Sequence, residues 1–277
     1  MTLPAGARDV RRVGGGDINE SFHLVLADGR EAFVKTRADA AGGEYVAEAA
    51  DLAWLAEPGA LRTPEVLEID ERYLALEWVA PGRLDAAGEE ELGRGLARTH
   101  LAGAAAFGRA GAEGSSGFGS LRLANEPSED WPGFYAERRL RPLARIAGER
   151  GALSPAGIAA VERVCGRMAE LTGPPEPPAR LHGDLWGGNV MADAEGRPWL
   201  IDPSSYGGHR EVDLAMLRLF GAPSERVFGA YGELAPLADG WQERVELYQL
   251  LPLLVHALLF GGSYRAAAER VAHRCAR

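Results

Sequence analysis

The chain has 277 residues, 46% of them hydrophobic, and a formal net charge of −10, so it has enough apolar content to build two packed cores. The acidic balance argues against a nucleic-acid binder, because phosphate backbones are met by clustered cations, and two cysteines, Cys165 and Cys275, are too few for a disulfide framework. The longest apolar run, residues 247–260, contains Pro252 and His256 and is too short to span a bilayer.

The N-terminus lacks the apolar core of a secretory signal, so a cytoplasmic location is expected. The first informative segment is Val13-Gly14-Gly15-Gly16-Asp17-Ile18-Asn19-Glu20-Ser21, ahead of a strand predicted over 22–26. Glycines without Cβ let backbone N–H groups approach phosphates closely. A loop set between strands differs from a Walker A loop or a dinucleotide-binding turn, each of which opens a helix. The Asp28-Gly29 turn leads to a second strand, 31–35, ending on Lys35. Of the 30 lysines and arginines, Lys35 is the one lysine. A compact ammonium differs most from a planar guanidinium where a cation must sit among phosphate oxygens, so this strand is expected to present Lys35 to a nucleotide.

Residues 38–57 have helical spacing and are closed by Pro58-Gly59. Glu44 and Glu48 share one face of that helix, and spacing does not choose which would pair with Lys35. Strands are predicted over 65–69 and 73–79. Leu76-Glu77-Trp78-Val79 reads as a hinge whose backbone at Glu77 and Val79 would meet adenine, and Ala80-Pro81-Gly82 marks a boundary between a first part, 1–79, and a second, 80–277. The second part is mostly helical by period, with apolar stripes over 89–105, 133–147, 155–171, 242–260 and 264–274. Cys165 falls in one such stripe and reads as a core thiol. Arg138, Arg139 and Arg141 form the one tight basic cluster and read as a solvated or salt-bridged helix face. Pro174-Pro175-Glu176-Pro177-Pro178 is a stiff connector.

That connector leads into Leu181-His182-Gly183-Asp184-Leu185-Trp186-Gly187-Gly188-Asn189, followed by Trp199-Leu200-Ile201-Asp202-Pro203. Metal-assisted phosphoryl transfer needs one carboxylate to take a hydroxyl proton and two oxygen ligands to hold Mg²⁺ against nucleotide phosphates. Asp184, Asn189 and Asp202 supply three such groups, and the Asp-x4-Asn spacing matches a kinase catalytic loop. ATP and Mg²⁺ are therefore the expected cofactors. The short interval between Asp202 and Asp213 leaves no room for the long activation segment of a protein kinase.

Gly15-Gly16-Asp17-Ile18-Asn19-Glu20, Phe33-Val34-Lys35, Leu76-Glu77-Trp78, the run from Phe134 to Pro142, His182-Gly183-Asp184-Leu185-Trp186-Gly187-Gly188-Asn189, the run from Gly208 to Met216, and Gly261-Gly262-Ser263-Tyr264 together resemble the fructosamine kinase (ketosamine 3-kinase) family, a branch of the aminoglycoside-phosphotransferase-like kinases. The resemblance implies an α+β, bilobal protein-kinase-like fold. It would have a small β-rich N-lobe with one main helix over 1–79, a larger, mostly helical C-lobe over 80–277, and ATP between them. It also implies phosphorylation of the C3 hydroxyl of a ketoamine, free or protein-bound, while charge and the short apolar run lead to the expectation of neither nucleic acid nor membrane as partner.

Carried over by position, the resemblance makes Asp184 the base, Asn189 and Asp202 the Mg²⁺ ligands, Lys35 the phosphate contact and Glu48 its partner. Gly15, Gly16, Asp17 and Asn19 would belong to the nucleotide loop. Asp213 would anchor the catalytic loop, Trp186 would stack on the amine's apolar portion, and His209 and Arg210 would order the loop after Asp202 or touch substrate. The family often has an Asp-Asn pair and a Leu-Pro-Gln-x-Asn segment between Phe107-Gly108 and Trp131. This chain keeps only Asn125 there, one of three asparagines, and Asn125 is a substrate-side candidate. Asp17 stands where some relatives have Cys, which excludes a thiol switch at that position. The alternatives are a kinase of the same fold acting on an aminoglycoside, choline or homoserine, and a catalytically inactive nucleotide-binding regulator.

Overall fold

Alternating burial along the first strands builds a sheet with two apolar faces. In the computed structural model, which describes residues 2–14, 19–37, 42–109, 115–119, 121–221 and 224–277, the N-terminal part comprises β1 (Arg8–Val13), β2 (Glu20–Val25), β3 (Glu31–Thr36), α1 (Glu44–Ala56), β4 (Val66–Asp70) and β5 (Tyr73–Glu77). The strands form one antiparallel sheet in the order β1-β2-β3-β5-β4. Successive side chains point to opposite faces, so Leu24, Ala32, Val34 and Ala75 pack together. Phe33, Leu74 and Leu76 instead meet Tyr45, Ala49 and Leu52 of α1. Lys35 is in register with Leu74, which puts it on the α1 side. The β2–β3 turn closes through Leu26 N to Arg30 O at 2.9 Å, with Gly29 at φ 91°, a conformation that glycine adopts without steric cost.

The β1 strand carries no apolar alternation, which is why sequence pattern does not mark it. Its exposed Arg8, Arg11 and Arg12 charge the sheet edge and protect it from further pairing.

Past residue 80 the described chain is mainly helical: α2 (Ala86–Leu101), α3 (Trp131–Tyr135), α4 (Arg141–Glu149), α5 (Pro155–Gly166), α6 (Met168–Leu171), α7 (Glu211–Leu217), α8 (Glu225–Leu234), α9 (Trp241–Leu259) and α10 (Ser263–Cys275). Short strands interrupt it: β6 (Ser115–Phe118), β7 (Leu121–Ala124), β8 (Ala179–Leu181), β9 (Val190–Ala192), β10 (Pro198–Leu200) and β11 (Tyr206–Gly208). They pair antiparallel as β6 with β7, β8 with β11 and β9 with β10. Two loops are thereby drawn together, one between β8 and β9 and one between β10 and β11.

Caps and breakers explain where the helices depart from the apolar period. The α2 helix starts at Ala86, ahead of the predicted 89, because Asp85 caps it, its Oδ1 accepting Gly88 N at 2.8 Å. The stripe over 155–171 is two helices, broken at Arg167 just after Gly166, since glycine weakens a helix interior. Pro252 sits within α9, and no helix of the described residues is long and apolar enough to cross a membrane. Cys165 is buried.

The basic cluster needs a correction. A π-helical turn, Ala136–Leu140, joins α3 to α4, and it turns Arg139 into the core, where it is fully buried. Its guanidinium lies 4.1 Å from the Tyr206 ring centre and 4.5 Å from that of Phe134. It also donates to Ala124 O and Asn125 Oδ1 at 2.7 and 2.8 Å. A planar, weakly hydrated cation tolerates such a site where an ammonium would not. Arg138 and Arg141 remain in exposed ion pairs with Glu126 and Glu162.

Candidate active site

Lys35 projects from β3 toward α1 and the C-lobe. It is 4% exposed, pairs with Glu48 of α1, and donates to Asp202 Oδ1 at 2.8 Å. Burial opposes its charge, but Asp202 and Glu48 outweigh burial and hold the ammonium above its ordinary pKa. Burial also works against the Asp202 charge, and Lys35 overcomes it, so Asp202 lies below the usual carboxylate range. Glu48, less well compensated, is pushed up to about 7 by burial against the pull of Lys35. Glu44 lies one turn away and engages Arg37 at 2.7 Å instead.

The loop between β8 and β9, which carries the candidate base Asp184, is fixed from beneath by α7. Asp213, fully buried, accepts His182 N at 2.7 Å and Gly183 N at 2.9 Å through its two oxygens. His100 of α2 adds a third contact, with Nε2 3.2 Å from Asp213 Oδ2 and Nδ1 2.8 Å from the Tyr231 hydroxyl. His182 holds the two loops together: its Nε2 lies 2.9 Å from Ile201 O and its Nδ1 accepts Asp184 N at 3.2 Å. That pair of partners requires a neutral ring protonated on Nε2, and burial lowers the pKa of His182 accordingly. Gly183 has φ 83°, and a Cβ there would lie 1.9 Å from Ser204 O, so the two loops touch only because it is glycine.

A short 3₁₀ turn, Gly187–Asn189, carries Asn189 back over Asp184. Asn189 Nδ2 donates to Asp184 O at 2.8 Å and lies 3.3 Å from Asp184 Oδ2, leaving its amide oxygen for a cation. Asp202 takes φ 52°, unusual for a residue with a side chain. Burial and then the charge of Asp202 push Asp184 up to about 7, with Asn189 pulling the other way. Such a group, poised near neutrality and aimed into a cavity, is suited to proton abstraction.

Lys35, Asp184, Asn189 and Asp202 line one cavity of about 740 Å³. Phe33, Glu77 and Val79 line it as well, as do Trp186, Phe220 and Tyr264. Trp186, 38% exposed, stands edge-on to Phe220 at 6.0 Å. A Cβ on Gly188 would come within 2.2 Å of the indole, so that glycine lets the ring lie over the loop. Asn19 also lines the cavity and accepts the Tyr45 hydroxyl at 3.3 Å. Glu77 N donates to Glu65 O at 2.8 Å, and Trp78 stacks on His23. Gly15, Gly16 and Asp17 of the glycine-rich loop lie outside the described residues.

Three predicted substrate-side residues lie off the cavity wall. Asn125 is buried and accepts Arg139. His209 stacks on Tyr248 at 5.5 Å, and burial pushes its pKa down to about 4. Arg210 forms a two-pronged pair with Glu176 at 2.7 Å and donates to Ala235 O. All three are engaged in the scaffold. Sequence reading passed over His100 and Asp51, because a polar residue within an apolar helical stripe gives no sign of a distant partner, and over Arg109, which lies in a loop with no periodicity at all.

Among the described residues no three His, Cys, Asp or Glu side chains cluster to hold a metal unaided. One carboxylate and one amide oxygen, from Asp202 and Asn189, suit Mg²⁺, which keeps waters and takes most of its shell from substrate phosphates. The side chain of Asp202 is 45% exposed, leaving it accessible for such a role.

Comparison with known proteins agrees with this geometry. The family model described as fructosamine kinase matches residues 3–277. A Synechocystis protein named a probable ketoamine kinase is 34% identical over 99% of this chain and 92% of its own length. The chloroplastic protein-ribulosamine 3-kinase of Arabidopsis thaliana is 32% identical over 94% of this chain and 80% of its own. A crystal structure of a fructosamine-3-kinase candidate from Thermobifida fusca superposes with a TM-score of 0.89 at 44% identity, covering 98% of this chain and 93% of that one. Choline kinases and aminoglycoside phosphotransferases, under 25% identical, share the bilobal fold alone.

Proposed function

Because the chain belongs to the fructosamine kinase family, and is thereby a phosphotransferase acting on a hydroxyl group, we propose that it transfers the γ-phosphoryl group of ATP to the C3 hydroxyl of a ketoamine. The observation that carries this reading is the convergence of Lys35, Asp184, Asn189 and Asp202 on one cavity. Residues 1–79 would form the nucleotide-binding part and 80–277 the catalytic part, with adenine at Glu77 and Val79 and phosphates under Gly15, Gly16, Asp17 and Asn19. ATP as donor fits a cytoplasmic location.

The chemistry follows from the positions of the groups. The C3 hydroxyl loses its proton to Asp184 as its oxygen bonds to the γ-phosphorus and the bond to the bridging oxygen of ADP breaks. Lys35, held by Glu48, neutralises phosphate charge without itself losing a proton. Mg²⁺, held by Asn189 and Asp202, would supply further neutralisation and alignment of the phosphates. Asp213 and His100 keep the loop backbone rigid, so Asp184 meets the hydroxyl with little reorganisation. Trp186 would lie against the amine substituent of the acceptor. A phosphate on C3 is α to the C2 carbonyl and β to C1, so loss of a C1 proton to give the 1,2-enaminol lets phosphate leave from C3 with its bonding electrons, and water then hydrolyses the resulting C1 imine to free the amine, which makes removal of early sugar adducts the proposed role.

The test is ATP consumption with Mg²⁺ across ribulosyl-, erythrulosyl- and fructosyl-amines, beside choline, homoserine and an aminoglycoside. Phosphorylation of at least one ketoamine, slowed by roughly 100-fold or more in Asp184→Asn, is the expected result. Turnover confined to the other alcohols would replace the proposed acceptor, and absence of any turnover would favour an inactive nucleotide-binding regulator.

A further inference from the structure

Asp51 belongs to none of the motifs above, yet it ties together the two halves of the candidate site. It sits on α1 three residues after Glu48, on the same helical face, and is 8% exposed. Its Oδ2 accepts Ser205 N at 3.0 Å, and its Oδ1 accepts Arg109 Nη1. Arg109 also donates to Ala50 O at 3.0 Å and lies 4.9 Å from the Trp54 ring centre. Ser205 follows Asp202 by three positions, and Asp202 bonds Lys35, which pairs with Glu48.

These contacts close a ring that runs from Lys35 through Glu48 and one turn of α1 to Asp51, then through Ser205 and back to Asp202 and Lys35. We propose that Asp51 is the positioning residue of this kinase, fixing the helix that aims Lys35 and the loop that carries Asp202 relative to each other. This deepens the phosphotransfer reading and rests on it.

The physical argument has two parts. Asp202 holds a left-handed backbone conformation, which a residue with a side chain keeps only when its surroundings enforce it. Ser204 N donates to His182 O at 2.9 Å, and Ser205 N donates to Asp51, so the loop just after Asp202 is clamped at consecutive amides by the C-lobe and the N-lobe. Conversely, α1 cannot withdraw Glu48 from Lys35 without exposing or orphaning the buried Asp51 carboxylate and the Arg109 guanidinium, and an uncompensated buried charge is strongly unfavourable. The stretch from Asp202 to Asp213 leaves no room for a long activation segment to set the α1 position, so the contacts of Asp51 are left to supply that alignment.

The test compares wild type with Asp51→Asn, Asp51→Ala and, as a control on α1 docking outside the ring, Arg180→Met, whose guanidinium donates to Trp54 O and pairs with Glu57. The readouts are calorimetric binding of a non-hydrolysable ATP analogue as a function of Mg²⁺, needing no acceptor, together with kcat, the KM for a ketoamine, and the melting temperature. Asp51→Ala is expected to raise the Mg²⁺ requirement for nucleotide binding and to lower kcat by at least ten-fold, with the ketoamine KM within two-fold of wild type. Asp51→Asn, which keeps an acceptor for Ser205 N, is expected to fall between, and Arg180→Met to change the melting temperature alone. Wild-type Mg²⁺ dependence and kcat in folded Asp51→Asn and Asp51→Ala would overturn the proposal, as would losses in kcat matched by Arg180→Met at equal melting temperature. If Asp51→Ala does not fold, wild-type Mg²⁺ dependence and kcat in Asp51→Asn overturn it alone. Failure of wild type to phosphorylate any ketoamine would overturn the acceptor assignment instead, with the nucleotide-binding arm still deciding the role of Asp51.

Discussion

Lys35 and Asp202, separated by 167 positions, meet at 2.8 Å. The contact joins a strand of the N-lobe to the loop between β10 and β11, so the cation expected at the phosphates and the carboxylate expected at the metal share one proton-rich contact. Each stabilises the charged form of the other against burial, which readies both for a polyanionic nucleotide.

Lys35→Arg is expected to lower kcat/KM for ATP by roughly 100-fold, the scale of losing one preorganised electrostatic contact. The planar fork keeps the charge but cannot occupy the buried slot between Glu48 and Asp202. Steady-state kinetics against ATP would check this, and retention of wild-type kcat/KM would show that Lys35 is not at the phosphates.

Asp184→Asn is expected to reduce kcat by roughly 100-fold or more, the range for removal of a general base, while nucleotide affinity measured by calorimetry stays near wild type. Burial and Asp202 push Asp184 up to about 7, and only the ionised form accepts a proton. Activity should therefore rise with pH through that region and level off above it, and a bound divalent cation should move this limb to lower pH. A flat profile between pH 5 and 8 would contradict the assignment.

Gly183→Ala should both destabilise the protein and abolish activity. The left-handed backbone costs about 1–3 kcal/mol for a residue with a side chain, and the added methyl collides with Ser204 O. A thermal melt beside an activity assay separates this from the neighbouring Gly187→Ala, whose Cβ meets nothing within 4 Å.

His209 should make the fold acid-sensitive. Burial lowers its pKa from 6.5 to about 4 despite the carboxylate of Glu176, with Arg210 and Arg244 also disfavouring its charge. The folded state thus favours the neutral ring. Its stability contribution is full above pH 6.5 and is lost as pH falls toward about 4, where the unfolded chain binds the extra proton; the size is on the order of 3 kcal/mol. Urea denaturation from pH 7 to 4 should show a shallower decline for His209→Gln than for wild type, and identical slopes would refute the assignment.

Local signals made much of the chain legible. Asp184 and Asn189 could be read together because one short loop folds their spacing into contact. Lys35 stood out as a single lysine at the end of an alternating strand. Partner choice was less legible: Glu44 and Glu48 look alike on a helix face, and only the way α1 lies on the sheet sends one to Arg37 and the other to Lys35. The β1 strand left no periodic trace because it is an exposed edge, and Arg139 looked like a surface cation until the π-helical turn rotated it inward.

By itself, then, the amino-acid order determined the α+β class, most of the helices and strands, and which lysine, carboxylate and amide side chains would be met in one cavity, since these depend on periodicity and spacing within a few turns of chain. Tertiary structure alone decided that Asp213 is met by His100, that Asp51 reaches Ser205, and that Asn125, His209 and Arg210 meet Arg139, Tyr248 and Glu176. Those contacts join segments brought together only when the lobes and helices dock, and burial there selects partners that no local pattern encodes.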